Sequence, residues 1–433
     1  MSSNTAKEEK IVVIIGHGLS GRSVAINLVK QLPNDLSVKI IAVDSREFYE
    51  CDATITVPIT WGGDVSYTQN SSPQWKLAVP GVSEYICDTV RSVTKNGKKL
   101  SVGLTEGDRT IQADVVVAAT SFHMPVVKPS VGMAWKDRKR ELTTYREAIA
   151  KARDIVVAGA GSAGLDLAGD VRMFNSGANI HLIVSDSKYV LHDRFGEGDR
   201  KMMTDVVKNS PGMVLHMNER VVGDNAYVPS FEPSTVTLKS GKTIEADVYI
   251  PCFVKWNGGG YLKSLSGATS PNGLVAQDHR TLQSKVNPAL FAIGCGDIIE
   301  KEGWSGIPKL EAQAKTVSTN VLNFLMEKTL IDHKEGMSFS KHEPVVHFGH
   351  GFHTALLTEK CGLPGKCCVL CGFPFPCILC PCLPCGISCM KPNGNALKNV
   401  VKDFACNKGG QLNMDARKFK GAAPPSSSDM SRQ

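Results

Sequence analysis

Six glycines in two short segments are the residues whose spacing most clearly suggests chemistry. In each segment a GxGxxG pattern follows an apolar run and precedes a helix-like run, with the glycines at Gly16, Gly18 and Gly21 and at Gly159, Gly161 and Gly164. The first glycine of such a pattern allows a tight turn, the second lets the backbone approach a pyrophosphate, and the third lets the helix pack on the strand. The N–H groups of the helix N-terminus then face the phosphates. The sequence therefore predicts two binding sites for dinucleotides.

An acidic residue follows the first glycine pattern at the distance where it would bind an adenosine ribose. Residues 38–45 are rich in β-branched side chains, and this pattern predicts a buried parallel strand that ends near Asp44. In the second copy the equivalent strand covers residues 179–187, and the matching position is either Ser185 or Asp186. Asp186 facing the ribose would favour NADH, whereas Ser185 in that place would tolerate NADPH. Both alternatives stay open.

The composition is that of a globular enzyme. The chain has 433 residues, enough for about three domains, with 42% hydrophobic and 21% charged residues. The net charge of +7 is modest, the basic residues are scattered and only 6% of residues are aromatic, so no nucleic-acid partner is expected. The first residues lack an apolar signal region, Ser2 stands where N-myristoylation needs glycine, and prolines interrupt the uncharged run 367–387. We expect a cytoplasmic protein with no signal or transit peptide and no transmembrane helix.

The two glycine patterns begin two halves of similar plan. Each half reads as a βαβ unit and closes with an Ala-Asp pair followed by β-branched residues, at 113–117 and at 246–250. The sequence thus predicts an α/β fold of two Rossmann-like dinucleotide-binding domains and a small C-terminal α+β domain with a cysteine-rich insertion. The expected boundaries are 8–125 with 275–332 for the first domain, 126–274 for the second, 333–420 for the third with its cysteine-rich segment 361–389, and 421–433 for a disordered tail.

An alanine–threonine strand end at Thr120 and the late segment FAIGCGD at 291–297, with a helix after it, add to the two glycine patterns. Together these features resemble the two-dinucleotide-binding-domain flavoproteins of the apoptosis-inducing-factor homologue and ferroptosis suppressor type, which are related to type II NADH dehydrogenases. The resemblance covers residues 10–330. It implies that the first domain holds FAD, that the second holds NADH or NADPH as electron donor, and that electrons leave to a quinone-type acceptor.

The resemblance assigns cofactor roles to the residues that match the family motifs. In the first domain these are Gly16, Gly18, Gly21, Asp44, Arg46, Thr120, Gly296 and Asp297, and in the second they are Gly159, Gly161, Gly164 and Ser185 or Asp186. Asp44 would bind the ribose, Arg46 would lie along the adenine, and Asp297 would hold the ribityl or pyrophosphate part of FAD. The family normally has Gly-Asp directly where this chain has AIGCGD, so either the loop is lengthened or the aspartate is displaced.

Two further residues receive catalytic roles from the same resemblance. Lys309 stands in the Pro-Lys start of a helix whose N-terminus faces the flavin in the family, where the lysine would stabilise negative charge on reduced flavin. Asp166 stands where the family has a glutamate near the nicotinamide, and its side chain is one methylene shorter. No metal site is predicted, because the HxxHxxH pattern at His347, His350 and His353 lies in a glycine-rich loop and is typical of structural or surface histidines.

Two other functions stay open at this point. Disulfide reductases of the superfamily need two cysteines a few residues apart, and Cys51 is alone in its segment, so the enzymatic alternative is a single-cysteine thiol or peroxide reductase that uses Cys51. The other alternative is a redox-signalling flavoprotein with slow turnover, in which bound nucleotide shifts partner binding. The sequence does not determine the oligomeric state.

Nine of the fourteen cysteines lie between Cys361 and Cys389, among apolar residues, glycine and proline. Several pairs have the CxxC spacing of a metal site, but metal knuckles usually carry charged residues and residues 367–390 carry none. The composition favours reversible S-acylation and peripheral association with a membrane surface. The candidates for acylation are Cys367, Cys368, Cys371, Cys377, Cys380, Cys382, Cys385 and Cys389.

Overall fold

Two parallel β-sheets form the framework of the protein. The computed structural model describes residues 8–50, 55–60, 71–73, 78–193, 195–254, 259–302, 307–334, 345–348 and 353–356. Its strands are β1 Lys10–Ile15, β2 Val38–Asp44, β3 Phe48–Glu50, β4 Ser71–Pro73, β5 Glu84–Cys87, β6 Val90–Asn96, β7 Lys99–Leu104, β8 Thr110–Ala113, β9 Val115–Ala118, β10 Asp154–Ala158, β11 Asn179–Val184, β12 Met213–Met217, β13 Ser234–Thr237, β14 Thr243–Ala246, β15 Val248–Pro251, β16 Leu290–Ala292, β17 Val345–Phe348 and β18 His353–Leu356. Its α-helices are α1 Leu19–Gln31, α2 Thr56–Thr60, α3 Trp135–Lys151, α4 Ser162–Phe174, α5 Glu197–Lys208, α6 Ile298–Glu302 and α7 Ile307–Leu325.

The first sheet carries the first glycine pattern at the carboxyl end of β1. Its strand order is β16-β9-β1-β2-β5, and every neighbouring pair is parallel. Residues 12–15 and 115–118 are small or β-branched and buried, as is typical of central strands covered on both faces. Helices α1 and α7 cover one face, and the antiparallel sheet β6-β7-β8 covers the other.

The second sheet repeats this plan around the second glycine pattern. Its order is β12-β11-β10-β15, again with parallel neighbours. Helices α3 and α4 pack on one face, and the hairpin β13-β14 packs on the other. In parallel sheets the carboxyl ends of the strands meet at one edge, which is where ligands bind. The predicted α/β fold with two Rossmann-like sheets is confirmed.

The predicted C-terminal domain lies mostly outside the described residues. Between residues 333 and 420 the structure describes one antiparallel hairpin, β17-β18, in which Val345 pairs with Leu356. The cysteine-rich segment 361–389 and the tail 421–433 lie outside the described residues. Within the part of the chain that the structure describes, no helix is long and apolar enough to cross a bilayer.

A buried ion pair joins α3, which leads into the second half, to β3 of the first half. Arg138 is 1% exposed, and its guanidinium donates to the Glu50 carboxylate at 3.0 and 3.1 Å. The same group donates to the Val126 carbonyl oxygen at 2.7 Å and to the Glu141 carboxylate at 2.6 Å. Since Glu50 is also buried, the pair fixes the position of α3 against the first half.

Replacing Arg138 by leucine is expected to lower the free energy of unfolding by about 3–5 kcal/mol, because the Glu50 carboxylate would stay buried without its cation. Replacing Arg138 and Glu50 together by leucine should recover most of that loss, since no unpaired charge is then buried. Arg140→Leu, at an exposed position of the same helix, is the matched control and should leave the unfolding midpoint nearly unchanged. Urea unfolding of the FAD-loaded protein measures all three variants, and a stable Arg138→Leu protein would contradict the role given to this pair.

Candidate functional site

In the first loop, residues 16–21, each of the three glycines is required for a different geometric reason. Gly16 has a φ of +92°, and a Cβ atom on it would lie 2.9 Å from the carbonyl oxygen of Ala119. A Cβ on Gly18 would have no described atom within 4 Å, so the backbone there faces open space. A Cβ on Gly21 would lie 1.8 Å from the carbonyl oxygen of Gly16, which leaves no room for a side chain. These are the requirements of a tight turn, a pyrophosphate approach and helix–strand packing.

The second loop, residues 159–164, has the same geometry. Gly159 has a φ of +114° and would place a Cβ 2.7 Å from the carbonyl oxygen of Cys252. A Cβ on Gly161 would meet nothing within 4 Å, and one on Gly164 would lie 1.9 Å from the Gly159 carbonyl oxygen. Helices α1 and α4 begin directly after Gly18 and Gly161, and neither has an acidic residue in its first turn. The first turns of the two helices therefore add no negative charge that would oppose phosphate binding at their N-termini.

Asp44, the last residue of β2, lies against the first glycine loop. Its side chain is 8% exposed, and one carboxylate oxygen accepts the backbone N–H of His17 at 2.7 Å. The other oxygen accepts the backbone N–H of Arg46 at 3.0 Å and lies 3.4 Å from the Arg46 guanidinium. These bonds hold the carboxylate at the edge of the loop, as the predicted contact with a ribose requires.

His17 and Gln277 are buried polar side chains for which the described residues supply no hydrogen bonds. Neither ring nitrogen of His17 and neither amide atom of Gln277 has a partner among those residues. His17 packs edge-on against Tyr85, with ring centroids 5.0 Å apart. Gln277 is fully buried beside Gly296, where a Cβ would lie 1.6 Å from its Oε1 atom. Because buried polar groups nearly always have partners, both side chains fit a polar cofactor at this edge of the sheet.

The buried imidazole makes stability depend on pH. Burial lowers the pKa of His17 to about 4, although the nearby Asp44 carboxylate acts in the opposite direction. As the pH falls from 6.5 to 4, the unfolded chain gains a proton that the folded protein does not, so stability is lost through this window. We expect His17 to account for a loss of roughly 3 kcal/mol at the acid end.

The His17→Asn variant should therefore lose less stability than the parent protein between pH 7 and pH 4.5, as measured by thermal unfolding at both values. His192→Asn is the matched control, because His192 is an exposed histidine, and this variant should keep the acid sensitivity of the parent. An unchanged acid sensitivity in His17→Asn would show that this imidazole does not stay neutral in the folded protein.

The two sheets and their loops can be compared with known proteins. Residues 10–315 match the family model described as pyridine nucleotide-disulphide oxidoreductase. The chain belongs to this family. An FAD-dependent oxidoreductase of Flammulina velutipes is 27% identical over 270 residues, which cover 60% of this chain and 80% of that protein. A ferroptosis suppressor protein 1 of Xenopus laevis is 23% identical over 348 residues, which cover 76% of this chain and 85% of that protein.

A solved structure has the same fold. The sulfide:quinone oxidoreductase of Aquifex aeolicus matches with a TM-score of 0.56 at 16% identity, over 80% of this chain and 84% of that one. The resemblance to apoptosis-inducing-factor homologues and ferroptosis suppressor proteins is thereby confirmed. The protein is an FAD-dependent oxidoreductase of this family, with NADH or NADPH as its electron donor.

Asp297 of this oxidoreductase is held by the loop that precedes β16. Its carboxylate accepts the backbone N–H of Gln277 at 3.2 Å and lies 2.9 Å from Nε2 of His279. The ammonium group of Lys285 is 3.5 Å from the second carboxylate oxygen. The aspartate therefore faces residues 277–285.

Cys295, two residues before Asp297, lies at the end of β9. Its thiol is buried, with Sγ 3.3 Å from the carbonyl oxygen of Ala118. The hydroxyl of Thr120, at the same strand end, lies 3.2 Å from the hydroxyl of Tyr261. Gly294, with a φ of +70°, makes the turn that brings this segment to the start of α1. The two alternatives for AIGCGD, a lengthened loop and a displaced aspartate, both stay predictions.

The two residues given catalytic roles lie near the N-terminal ends of two helices. Asp166 is in the second turn of α4, and Lys309 is in the first turn of α7; both side chains are half-buried. The first helix packs on the second sheet and the other packs on the first sheet. The two residues thus belong to helices on different sheets, and their catalytic roles stay predictions.

Asp186 lies in a tight loop after β11. Its carboxylate accepts the backbone N–H groups of Lys188 and Tyr189 at 2.7 and 3.0 Å, and it pairs with Arg200 of α5 at 2.5 Å. The two backbone hydrogen bonds lower the pKa of Asp186, so its carboxylate is ionised at neutral pH. Ser185, the other candidate at this strand end, is exposed.

The described cysteines are poorly suited to thiol chemistry. Burial raises the pKa of Cys252 to about 12 and that of Cys295 to about 11, and it also raises the pKa of Cys87. The thiolate is the reactive form, so these three thiols are weak nucleophiles at neutral pH. Cys51 and the eight predicted acylation sites lie outside the described residues.

Groups of metal-binding side chains are absent from the part of the chain that the structure describes. Of the HxxHxxH histidines, His347 lies in β17 and His353 in β18, while His350 lies outside the described residues. In the register of the hairpin, His347 pairs with Thr354 rather than with His353.

Proposed function

We propose that the protein passes electrons from NADH or NADPH, by way of its FAD, to a quinone-type acceptor at a membrane surface. The observation that carries the proposal is the pair of complete glycine loops on separate parallel sheets. Two such loops allow FAD and a nicotinamide nucleotide to bind at the same time. A bound FAD accepts a hydride from the nicotinamide and releases electrons to a second substrate.

In the first domain, proposed as residues 8–125 with 275–332, the cofactor contacts are divided along the FAD. Gly18 and the N-terminus of α1 would bind its pyrophosphate, Asp44 its ribose and Arg46 its adenine end. The remaining proposed contacts come from Gly16, Gly21, Thr120, Gly296 and Asp297, and the unpartnered groups of His17 and Gln277 would bind further polar atoms.

In the second domain, proposed as residues 126–274, Gly161 and the N-terminus of α4 would bind the nicotinamide nucleotide, with Gly159 and Gly164 shaping the loop. Asp166, in the second turn of α4, would orient the nicotinamide end. Lys309 would place a positive charge, together with the N-terminus of α7, where negative charge develops on the flavin.

The proposed acceptor follows from two observations. The described thiols have raised pKa values, which speaks against electron transfer to a disulfide through them. The segment 361–389 is apolar and rich in cysteine, and acyl chains on it would hold the protein at a bilayer. A quinone with a long apolar tail dissolves in the same bilayer, so the acceptor and the enzyme would meet there.

The acceptor is tested by measuring NADPH oxidation with ubiquinone-1, coenzyme A disulfide and hydrogen peroxide in turn, for the parent protein and for Cys51→Ser. We expect rapid reduction of the quinone and no loss in Cys51→Ser. Activity with disulfide or peroxide alone, abolished in Cys51→Ser, would make the protein a thiol or peroxide reductase. Turnover that stays slow with every acceptor, despite a rapidly reduced flavin, would favour the signalling function.

The membrane part of the proposal is tested separately from the acceptor. Protein expressed in eukaryotic cells should float with phospholipid vesicles, and hydroxylamine, which cleaves thioesters, should release it. Replacing the eight candidate cysteines by serine should abolish flotation, whereas the matched replacement of Cys406, outside the cluster, should not. Flotation that survives both hydroxylamine and the eightfold replacement would overturn acylation as the anchor.

A further inference from the structure

The two glycine loops share one hydrogen-bond register, and this identifies the residue of the second sheet that corresponds to Asp44. The bonds that define the register run from the N–H of Gly16 to the carbonyl of Val43 at 2.7 Å and from the N–H of Gly159 to the carbonyl of Ile183 at 3.0 Å. Asp44 is the residue directly after Val43, so its counterpart in the second sheet is the residue directly after Ile183. That counterpart is Val184, one residue before Ser185.

Val184 differs from Asp44 in every property that matters for a ribose. It is 2% exposed and belongs to the apolar cluster that also contains Ala160 and Leu191. Its side chain has no atom that can accept a hydrogen bond from a 2′-hydroxyl, which is the interaction that selects the unphosphorylated ribose of NADH. It also has no charge that would repel a 2′-phosphate.

A cation lies close to this strand end. Arg200 of α5 is largely buried, packs over the ring of Tyr189 with 5.2 Å between its Cζ atom and the ring centroid, and pairs with Asp186. Its Nε atom is buried and has no hydrogen-bond partner among the described residues. Arginine in this part of a dinucleotide fold can accommodate a 2′-phosphate.

The Asp186 carboxylate is already used within its own loop. One oxygen accepts two backbone N–H groups, and the other accepts Arg200. Asp44 accepts a similar number of donors, so these bonds alone do not separate the two carboxylates. What separates them is position, because Asp186 lies two residues after the counterpart of Asp44. The exposed Ser185 hydroxyl adds a neutral donor beside it.

We propose that the second nucleotide site prefers NADPH to NADH, with Arg200 and Ser185 binding the 2′-phosphate and Val184 removing the selection for NADH. The proposal rests on the proposed function only in requiring that the second sheet binds the nicotinamide nucleotide. It does not depend on which acceptor receives the electrons.

The test is a calorimetric titration of the FAD-loaded protein with 2′,5′-ADP and, separately, with 5′-AMP, which differ only in the 2′-phosphate. The parent protein should bind 2′,5′-ADP about tenfold or more tightly than 5′-AMP, the difference expected of a charge-assisted hydrogen bond. Arg200→Met should remove most of this difference without weakening 5′-AMP. Lys201→Met, which deletes an exposed charge at the next position of α5, is the matched control and should retain the difference.

Two further variants distinguish the alternatives at the strand end. Val184→Asp copies the first sheet and should strengthen 5′-AMP relative to 2′,5′-ADP. Asp186→Asn keeps an acceptor for the backbone N–H groups and should leave 5′-AMP binding unchanged, whereas weaker 5′-AMP binding would show that Asp186 is the ribose acid.

Each remaining outcome is decisive. Equal affinities for the two probes in the parent protein, or a preference that survives Arg200→Met, would overturn the proposed selectivity while leaving the electron-transfer function intact. Binding of neither probe by protein that retains its FAD would instead remove the second sheet as a nucleotide site, and the proposed function would fail with it.

Discussion

A Gly161→Val variant is expected to keep its yellow flavin and to lose its reaction with NADH and NADPH. The backbone of Gly161 has a φ of −74°, which valine tolerates, and a Cβ there meets nothing within 4 Å, so the fold should be unaffected. The added side chain would occupy the space through which a pyrophosphate approaches the N-terminus of α4. Losing several charge-assisted bonds to phosphate should slow flavin bleaching by about 100-fold or more.

The matched control is Gly177→Val, which adds a side chain in the exposed turn before β11, at the opposite end of that strand from residues 159–164; a Cβ there makes only an ordinary contact at 3.8 Å. It should bleach at the rate of the parent protein. Gly164→Ala gives a contrast within the same loop, because its Cβ would lie 1.9 Å from the Gly159 carbonyl oxygen and should lower the thermal midpoint instead. Normal bleaching of Gly161→Val by NADPH would place the nicotinamide nucleotide elsewhere.

An Asp44→Ala variant is expected to be purified largely without FAD. The substitution removes the carboxylate that accepts the His17 and Arg46 N–H groups, and with it the proposed contact to the ribose of FAD. The loss of a charged acceptor, together with the loss of the acceptor for the buried His17 N–H group and the partly buried Arg46 N–H group, should weaken FAD binding by about 100-fold or more. Equilibrium dialysis of the apoprotein against FAD measures the effect.

Asp44→Asn gives the graded comparison, because the amide oxygen can still accept one N–H group while the charge is lost. Its affinity for FAD should lie between those of the parent protein and Asp44→Ala. Gly161→Val should bind FAD as the parent protein does. An Asp44→Ala protein that retains FAD fully would contradict the assignment of the first sheet to FAD.

Local patterns in the sequence predicted most of the framework. The β-branched runs ending at Ile15, Asp44 and Ala158 became the buried parallel strands of the two sheets, because strands covered on both faces admit few polar residues. The glycine spacing predicted both loops, because two of the positions admit no other residue. Gly16 has a positive φ, and a Cβ atom on Gly21 would lie 1.8 Å from the Gly16 carbonyl oxygen.

Residues whose roles depend on distant contacts could not be predicted in this way. Glu50 and Arg138 are 88 positions apart and meet only because α3 packs against the first half. Gln277 carries no local signal, since its burial depends on the close approach of Gly296. His17 offered a better signal, because a ring between the first two glycines must lie at the loop.

The end of β11 is where the sequence could not identify the residue that corresponds to Asp44. The sequence left Ser185 and Asp186 as alternatives, because a strand of β-branched residues does not reveal where its last ladder hydrogen bond falls. The bond from Gly159 to Ile183 makes Val184 the counterpart of Asp44, one residue before Ser185 and two before Asp186. A displacement of one or two residues exchanges a polar or charged contact for an apolar one, and the proposed preference for NADPH depends on it.

The most direct test of the proposed electron transfer is anaerobic stopped-flow absorbance of the FAD-loaded protein, mixed first with NADPH and then with ubiquinone-1. We expect the flavin band near 450 nm to bleach on the first mixing and to return rapidly on the second. Rapid bleaching that the quinone does not reverse would contradict the quinone acceptor, and a band that neither NADPH nor NADH bleaches would contradict electron entry through the second sheet.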